Sequence, residues 1–209
     1  MTTEILKEID SIIGLLETKF NPNHDPDTGR FAEGSGANNE LINHFKSQYS
    51  KEDWHEFGLS IDKDGNKISD YEGSTNQIAM TPEEQANIKD ASIFIHNHPS
   101  GGSFSDGDLK FASDENIGQM IVTSKNYDYT VAPQAGENWP DGKEMNTAWY
   151  AEYERTAPEY STRYENAFSS SSSIDEGNIK LNGIVEDHTN EIMQHLATKF
   201  NLVYTRSAR

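Results

Sequence analysis

Apolar positions in this chain fall into two periods, and the switches between them outline its elements. Ile5, Ile9, Ile12 and Leu16 repeat at four, three and four residues, with Leu6, Ile13 and Phe20 beside them, which predicts an amphipathic helix over residues 3–20. Asn39–Tyr49 predicts a second helix. Phe57-Gly58-Leu59-Ser60-Ile61 reads as a strand, Asp62–Asn66 as a turn, and Lys67-Ile68 as the returning strand. Thr81-Pro82-Glu83-Glu84 is a helix start, with Thr81 as cap and proline at the first helical position. Ala91–Ile95 is short, apolar and β-branched, the pattern of a buried strand. A short helix from Asp108 to Glu115 follows. Gly118–Ser124 and Tyr127–Val131 then pair across Lys125-Asn126. Lys143–Phe168 is helical and aromatic-rich with an expected interruption near Pro158, and Trp149, Tyr150 and Tyr153 are expected to cover a flank. Ser169–Ser173 is low in complexity and expected to be mobile. Leu181, Ile184, Val185, His188, Ile192 and Leu196 keep helical spacing, and Leu202-Val203-Tyr204 adds an edge strand.

The expected fold class is therefore α/β (α+β), a mixed sheet flanked by helices. The division is an N-terminal helix (1–20), a flexible linker rich in Pro, Gly, Asn and Asp (21–38), a mixed domain (39–140) and a helical C-terminal extension (141–209). The N-terminal helix packs on its own domain, docks on a partner or self-associates.

Chemistry concentrates after the buried strand, in His96-Asn97-His98-Pro99-Ser100-Gly101-Gly102-Ser103-Phe104-Ser105-Asp106-Gly107-Asp108. Residues i and i+2 of a strand share a face, so His96 and His98 present two imidazoles side by side. Pro99 ends the strand and the glycine pair turns the chain back. Ser105 stands where a helix N-cap belongs, with Asp108 in the first turn. Two histidines and one carboxylate make a three-ligand site, and three protein ligands with a fourth position for water mark catalytic rather than structural zinc. Taken singly the pieces have structural readings: Ser105-x-x-Asp108 is a capping box, and Pro-Ser-Gly-Gly is turn chemistry.

Together these residues resemble the JAMM motif of the JAB/MPN metallopeptidase superfamily, His-x-His, seven residues, Ser-x-x-Asp. The wording His-Asn-His-Pro-Ser-Gly is similar to the RadC-like bacterial branch. Here six residues, Pro99 to Phe104, separate His98 from Ser105, so Asp106 is an alternative to Asp108; Asp108 keeps the Ser-x-x-Asp spacing. The resemblance extends over roughly residues 50–135. It implies Zn2+ held by His96, His98 and Asp108, Glu56 as general base, and Ser105 steadying the oxyanion. Glu52, Glu72, Glu83 and Glu84 are rivals to Glu56, with Glu83 and Glu84 also explained by the helix dipole. The reaction implied is hydrolysis of a peptide bond, or of a lysine isopeptide to a ubiquitin-like tail, in a protein or peptide substrate. Two alternatives are a degenerate JAB/MPN-like interaction module and a RadC-like protein acting around DNA. Residues 21–32 resemble a connector of phage minor head proteins, which implies phage association.

Composition narrows these readings. Among 209 residues there is no cysteine, so no disulfide and no thiolate ligand, and any transition metal is held by nitrogen and oxygen. A net charge of −18 repels phosphate backbones and speaks against nucleic acid as partner. Only 33% of residues are hydrophobic, no apolar run approaches membrane-spanning length, and no signal peptide is visible, so the expected location is cytoplasmic, or virion-associated in a phage. Three other clusters carry less. His24, Asp25 and Asp27 lack a scaffold. Asp62–Asn66 resembles a calcium loop, but Lys67 replaces the required glycine and Glu72 falls one residue early, so a hairpin is expected. His188 and His195 lie seven apart and read as helix-face residues rather than a ligand pair.

Overall fold

Strand β3 (Ile93–Asn97) is buried along its whole length and lies inside a six-stranded sheet of order β2-β1-β3-β4-β5-β6. The structure, a computed structural model, describes residues 36–209 apart from 53 and 90. The expected helix at 3–20, most of the linker and the His24 cluster lie outside the described residues.

The other strands are β1 (Phe57–Ile61), β2 (Lys67–Glu72), β4 (Gln119–Thr123), β5 (Tyr127–Pro133) and β6 (Leu202–Ala208). β3 and β4 are parallel and all other neighbours antiparallel, so the sheet is mixed. A parallel pair needs a crossover. The loop from His98 to Ser105 and helix α3 (Asp106–Asp114) supply it, which leaves the histidines at the carboxyl end of a central strand, where open α/β sheets place ligands.

Helix α1 (Gly36–Tyr49) covers one face, where Phe45 joins Leu59, Ile61, Ile93, Ile95 and Ile121. It starts at Gly36, so the last three residues assigned to the linker form its first turn. The other face carries Phe94, Met120, Val122, Tyr129 and Val131 under α3, α4 (Gly142–Ser169) and α5 (Ile174–Phe200). Short α2 (Pro82–Ile88) begins with the Thr81–Glu84 capping box. Strand alternation separates the faces: Phe94 and His96 point to the α3–α5 side, and Ile93, Ile95 and Asn97 to the α1 side.

Pro158 does not interrupt its helix. α4 runs 28 residues through it, because one missing N–H costs one backbone bond while the packing of α4 along α5 is retained. His188 of α5 is a large part of that packing. Its ring stacks on Tyr160 at 4.1 Å and on Tyr153 at 5.1 Å, and its Nε2 lies 2.7 Å from the Thr156 hydroxyl. His195 is exposed beside Glu152. Ser169 ends α4, residues 170–173 make the connection to α5, and Ser173 caps that helix. Asp62–Asn66 forms a hairpin turn whose Asp62 Oδ1 accepts from the Asp64 and Asn66 amides, with Gly65 at φ +88°. Residues 141–209 pack on the common core: Met145, Ile192, Met193 and Leu196 are fully buried with sheet residues, and β6 pairs along all of β5. Among the described residues no helix is long and apolar enough to cross a membrane.

Candidate metal centre

Three side chains converge where β3 ends and α3 begins. His96 Nε2 lies 3.0 Å from His98 Nε2 and 3.1 Å from Asp108 Oδ1, and His98 Nε2 lies 3.4 Å from Asp108 Oδ2. Two ligand atoms on a tetrahedral ion with bonds of about 2.0–2.2 Å stand about 3.3–3.6 Å apart; the two imidazole nitrogens are slightly closer than that, Asp108 meets each histidine through a different oxygen, and one donor atom from each of the three residues lies within 4.8 Å of the other two. Among the described residues this is a group of nitrogen and oxygen donors able to hold a metal ion. The side chains of His96, His98 and Asp108 are 3%, 10% and 18% exposed, enough to shield the site while leaving an approach from Asp108's side.

Local bonds hold each donor. Ser105 caps α3: its hydroxyl accepts from the Asp108 amide at 3.1 Å, and its own N–H and O–H reach Asp108 Oδ2 at 2.7 and 2.8 Å. The capping box and the ligand geometry are therefore one arrangement, since the bond that starts the helix also aims Asp108 Oδ1 at His96. His98 Nδ1 lies 3.0 Å from the Gly102 carbonyl, which assigns Nδ1–H as donor and frees Nε2 for a metal. His96 Nδ1 is buried without a hydrogen-bond partner. Helix α5 fixes the loop from behind. Ser103 N–H donates to Thr189 Oγ1 at 2.7 Å, and a side chain at Gly102 would meet Val185 Cγ1 at 3.1 Å. Gly101, at φ +88°, turns beside the carboxylate of Glu186, which is itself held by Asn126 Nδ2 at 3.0 Å.

Charge is shared unevenly. Burial drives His96 below its ordinary value. Burial also opposes protonation of His98, but the hydrogen bond and charge of Asp108 prevail, with Glu56 adding to them, and raise it to about 9. Burial works against the Asp108 carboxylate, yet the two histidines hold it well below the usual range. The metal-free centre thus keeps a proton between His98 and Asp108, which a cation has to displace.

Glu56 lines the same cleft, of about 1140 Å³, and is only 8% exposed. Gly58 pairs with His96, so continuing that register sets Glu56 opposite His98 on the same face. Gly58 carries no side chain because a Cβ there would sit 2.8 Å from Ile78 Cδ1 and 3.0 Å from Phe94. Burial pushes the Glu56 carboxyl up to about 7, with Asp108 adding to the rise and His98 opposing it. The rival acids lie elsewhere. Glu52 accepts from the Trp54 amide, Glu72 ends β2 exposed, Glu84 closes its capping box with Thr81, and Glu83 is exposed on the same turn. Asp106 accepts from Asn146 of α4 at 2.8 Å and is not one of the three converging donors.

The cleft has walls that local sequence patterns did not point to: Ile78 and Met80 before α2, Phe111 of α3, Trp149 of α4, and Ile179 and Val185 of α5. Trp149 was expected on a flank; it lines the cleft and its Nε1 donates to the Phe104 carbonyl at 3.3 Å. Compared with known proteins, the chain matches no family model, no curated protein and no solved structure.

Proposed function

We propose that this protein is a zinc-dependent amide hydrolase of the JAB/MPN type, acting on peptide or lysine isopeptide bonds of a protein substrate, including ubiquitin-like conjugates. The observation that carries the reading is the convergence of His96, His98 and Asp108 within 3.0–3.4 Å beside a buried glutamate in one cleft. The donor set fits zinc: two imidazole nitrogens and one carboxylate oxygen, with His98 oriented from behind by Gly102. A bound zinc ion supplies a Lewis acid and lowers the pKa of a water to about 7. Glu56 takes the proton of the attacking water and returns it to the leaving amine. Its raised value keeps both proton states within reach near neutral pH, and a neighbouring cation favours the ionised form that a base needs. Ser105 holds Asp108 through its backbone N–H and its hydroxyl. To steady the oxyanion as well, that hydroxyl turns from Asp108 Oδ2 while the N–H retains it.

The cleft's carboxylates, Glu56, Asp106, Asp108 and Asp175, face one lysine, Lys125, which favours a polypeptide over a phosphate-bearing substrate. A degenerate interaction module would share the fold but not the turnover. The test is metal content followed by cleavage. Protein purified without chelator carries one zinc per chain, lost in the His96→Ala/His98→Ala double variant. Offered ubiquitin fusions with peptide or isopeptide junctions, and unfolded casein, the Glu56→Gln protein keeps its zinc and is slower by about 10²–10⁴-fold. Zinc bound with no junction cut supports the module; iron in place of zinc, which the same two-His, one-carboxylate set accommodates, removes the hydrolase reading.

A further inference from the structure

Between the two metal-site histidines lies Asn97, buried and on the opposite face of β3. The backbone pairing of β1 with β3 ends at Gly58 and His96. Beyond that point the Asn97 side chain takes over: its Oδ1 accepts from the Phe57 N–H at 2.6 Å, and its Nδ2 donates to the His55 carbonyl at 2.9 Å. These two backbone groups flank Glu56. A side-chain amide has the donor and acceptor of a peptide group, so it continues the ladder by one step after the main chains part. On the other side the Glu56 backbone is tied to the end of β2, with its N–H donating to the Ser74 carbonyl at 2.8 Å and its carbonyl accepting from the Gly73 amide at 2.8 Å. Glu56 is thus pinned from both neighbouring strands, and one of the two pins grows from the segment that carries the histidines.

We infer that Asn97 is a positioning residue that locks the Glu56 backbone to the His96–His98 strand, fixing the distance between the base and the metal ligands. Its effect passes through Glu56 and not through the metal, because its side chain points away from the His96 and His98 face. The kinetic arm below rests on the proposed hydrolase; the exchange arm does not.

Two readouts test it on the zinc-loaded full chain. In Asn97→Ala the Phe57 amide loses its acceptor, so its hydrogen exchange accelerates at least tenfold relative to the amides of β3, while zinc affinity stays within about threefold of the parent. Unchanged Phe57 exchange overturns the inference whatever the activity. Asn97→Thr, β-branched and suited to a strand but with a hydroxyl one bond short of the amide, gives the same reading should the alanine variant fold poorly. In turnover of a ubiquitin–peptide fusion, Asn97→Ala lowers kcat by about 10²-fold, the cost of misplacing a reacting group by about an ångström, with little change in KM. Added to Glu56→Gln it costs nothing further, since it acts through a base that is already gone. Additive losses in the double variant overturn the inference. A Glu56→Gln protein as active as the parent fails the hydrolase reading instead, and is told apart by that single variant.

Discussion

Glu56 carries opposite demands in the metal-free and metal-loaded protein. Buried beside Asp108, it is neutral more readily than a surface glutamate, with its pKa moved from 4.5 to about 7. Between those two values the native state holds more protons than the unfolded chain, so stability is full below the lower one and is lost as pH rises through the upper. Removing the charge removes that loss. In chelator, Glu56→Gln and the parent therefore differ little at pH 4.5, and above pH 7.5 the variant is more stable by about 1–3 kcal/mol, seen as a higher denaturant midpoint. A metal ion bound at the proposed site is expected to reverse the preference, since the ionised carboxylate would then have a cation nearby. An equal difference at both pH values would mean that Glu56 is not held in a desolvated site. The comparison needs no substrate, so it tests the environment of Glu56 separately from its proposed role as base.

The loop between β3 and α3 shows which features of the centre were readable along the chain. His96 lies in β3 and His98 directly follows its last residue, and Ser105 caps the turn that holds Asp108; contacts this short in sequence are governed by fixed periods, so spacing alone brought them together. Glu56 depended on a family resemblance, because its partner His98 lies across a strand pair whose register no local pattern specifies. The support behind the loop gave no local signal at all. Thr189 meets Ser103 across 86 residues, and helical periodicity marked Val185 as apolar without saying that its neighbour in space is Gly102. The break expected at Pro158 is absent for a related reason: the rule that proline ends helices is local, and the α4–α5 packing that overrides it is not. Thr189 can be tested by itself. Thr189→Val keeps the shape but leaves the Ser103 N–H without its acceptor, loosening the Gly102 carbonyl that orients His98. We expect zinc affinity to fall about tenfold in competition with a chromophoric chelator, on the scale of lost outer-shell contacts. Unchanged affinity would mean that the loop holds its geometry without α5.

At the scale of the whole molecule, the helices after residue 140 back the loop that carries the candidate metal centre. Its helices supply Met145, Ile192, Met193 and Leu196 to the cluster that contains Phe94 and Val122, all of them nearly or fully buried. Phe94 precedes His96 by two residues on the same face, so the floor under the ligand strand is completed by α5. A methyl-bearing side chain lost from that cluster leaves a cavity between helix and sheet. Neither side can close it freely, since α5 is fixed at one end by Ser173 and at the other continues through Asn201 into β6. Leu196→Ala is therefore expected to cost about 2–5 kcal/mol, the range for a fully buried leucine. The pattern of loss matters more than its size. If sheet and C-terminal helices form one cooperative unit, tryptophan fluorescence and far-ultraviolet circular dichroism report a single coincident transition in the parent and in the variant. If the proposed site holds zinc, added zinc is expected to shift both probes upward together, because a ligand of the native state stabilises the whole cooperative unit. A variant whose helical signal melts first, while the zinc-dependent transition stays where it was, would make the C-terminal helices a separate unit and would leave the metal loop standing without its back wall.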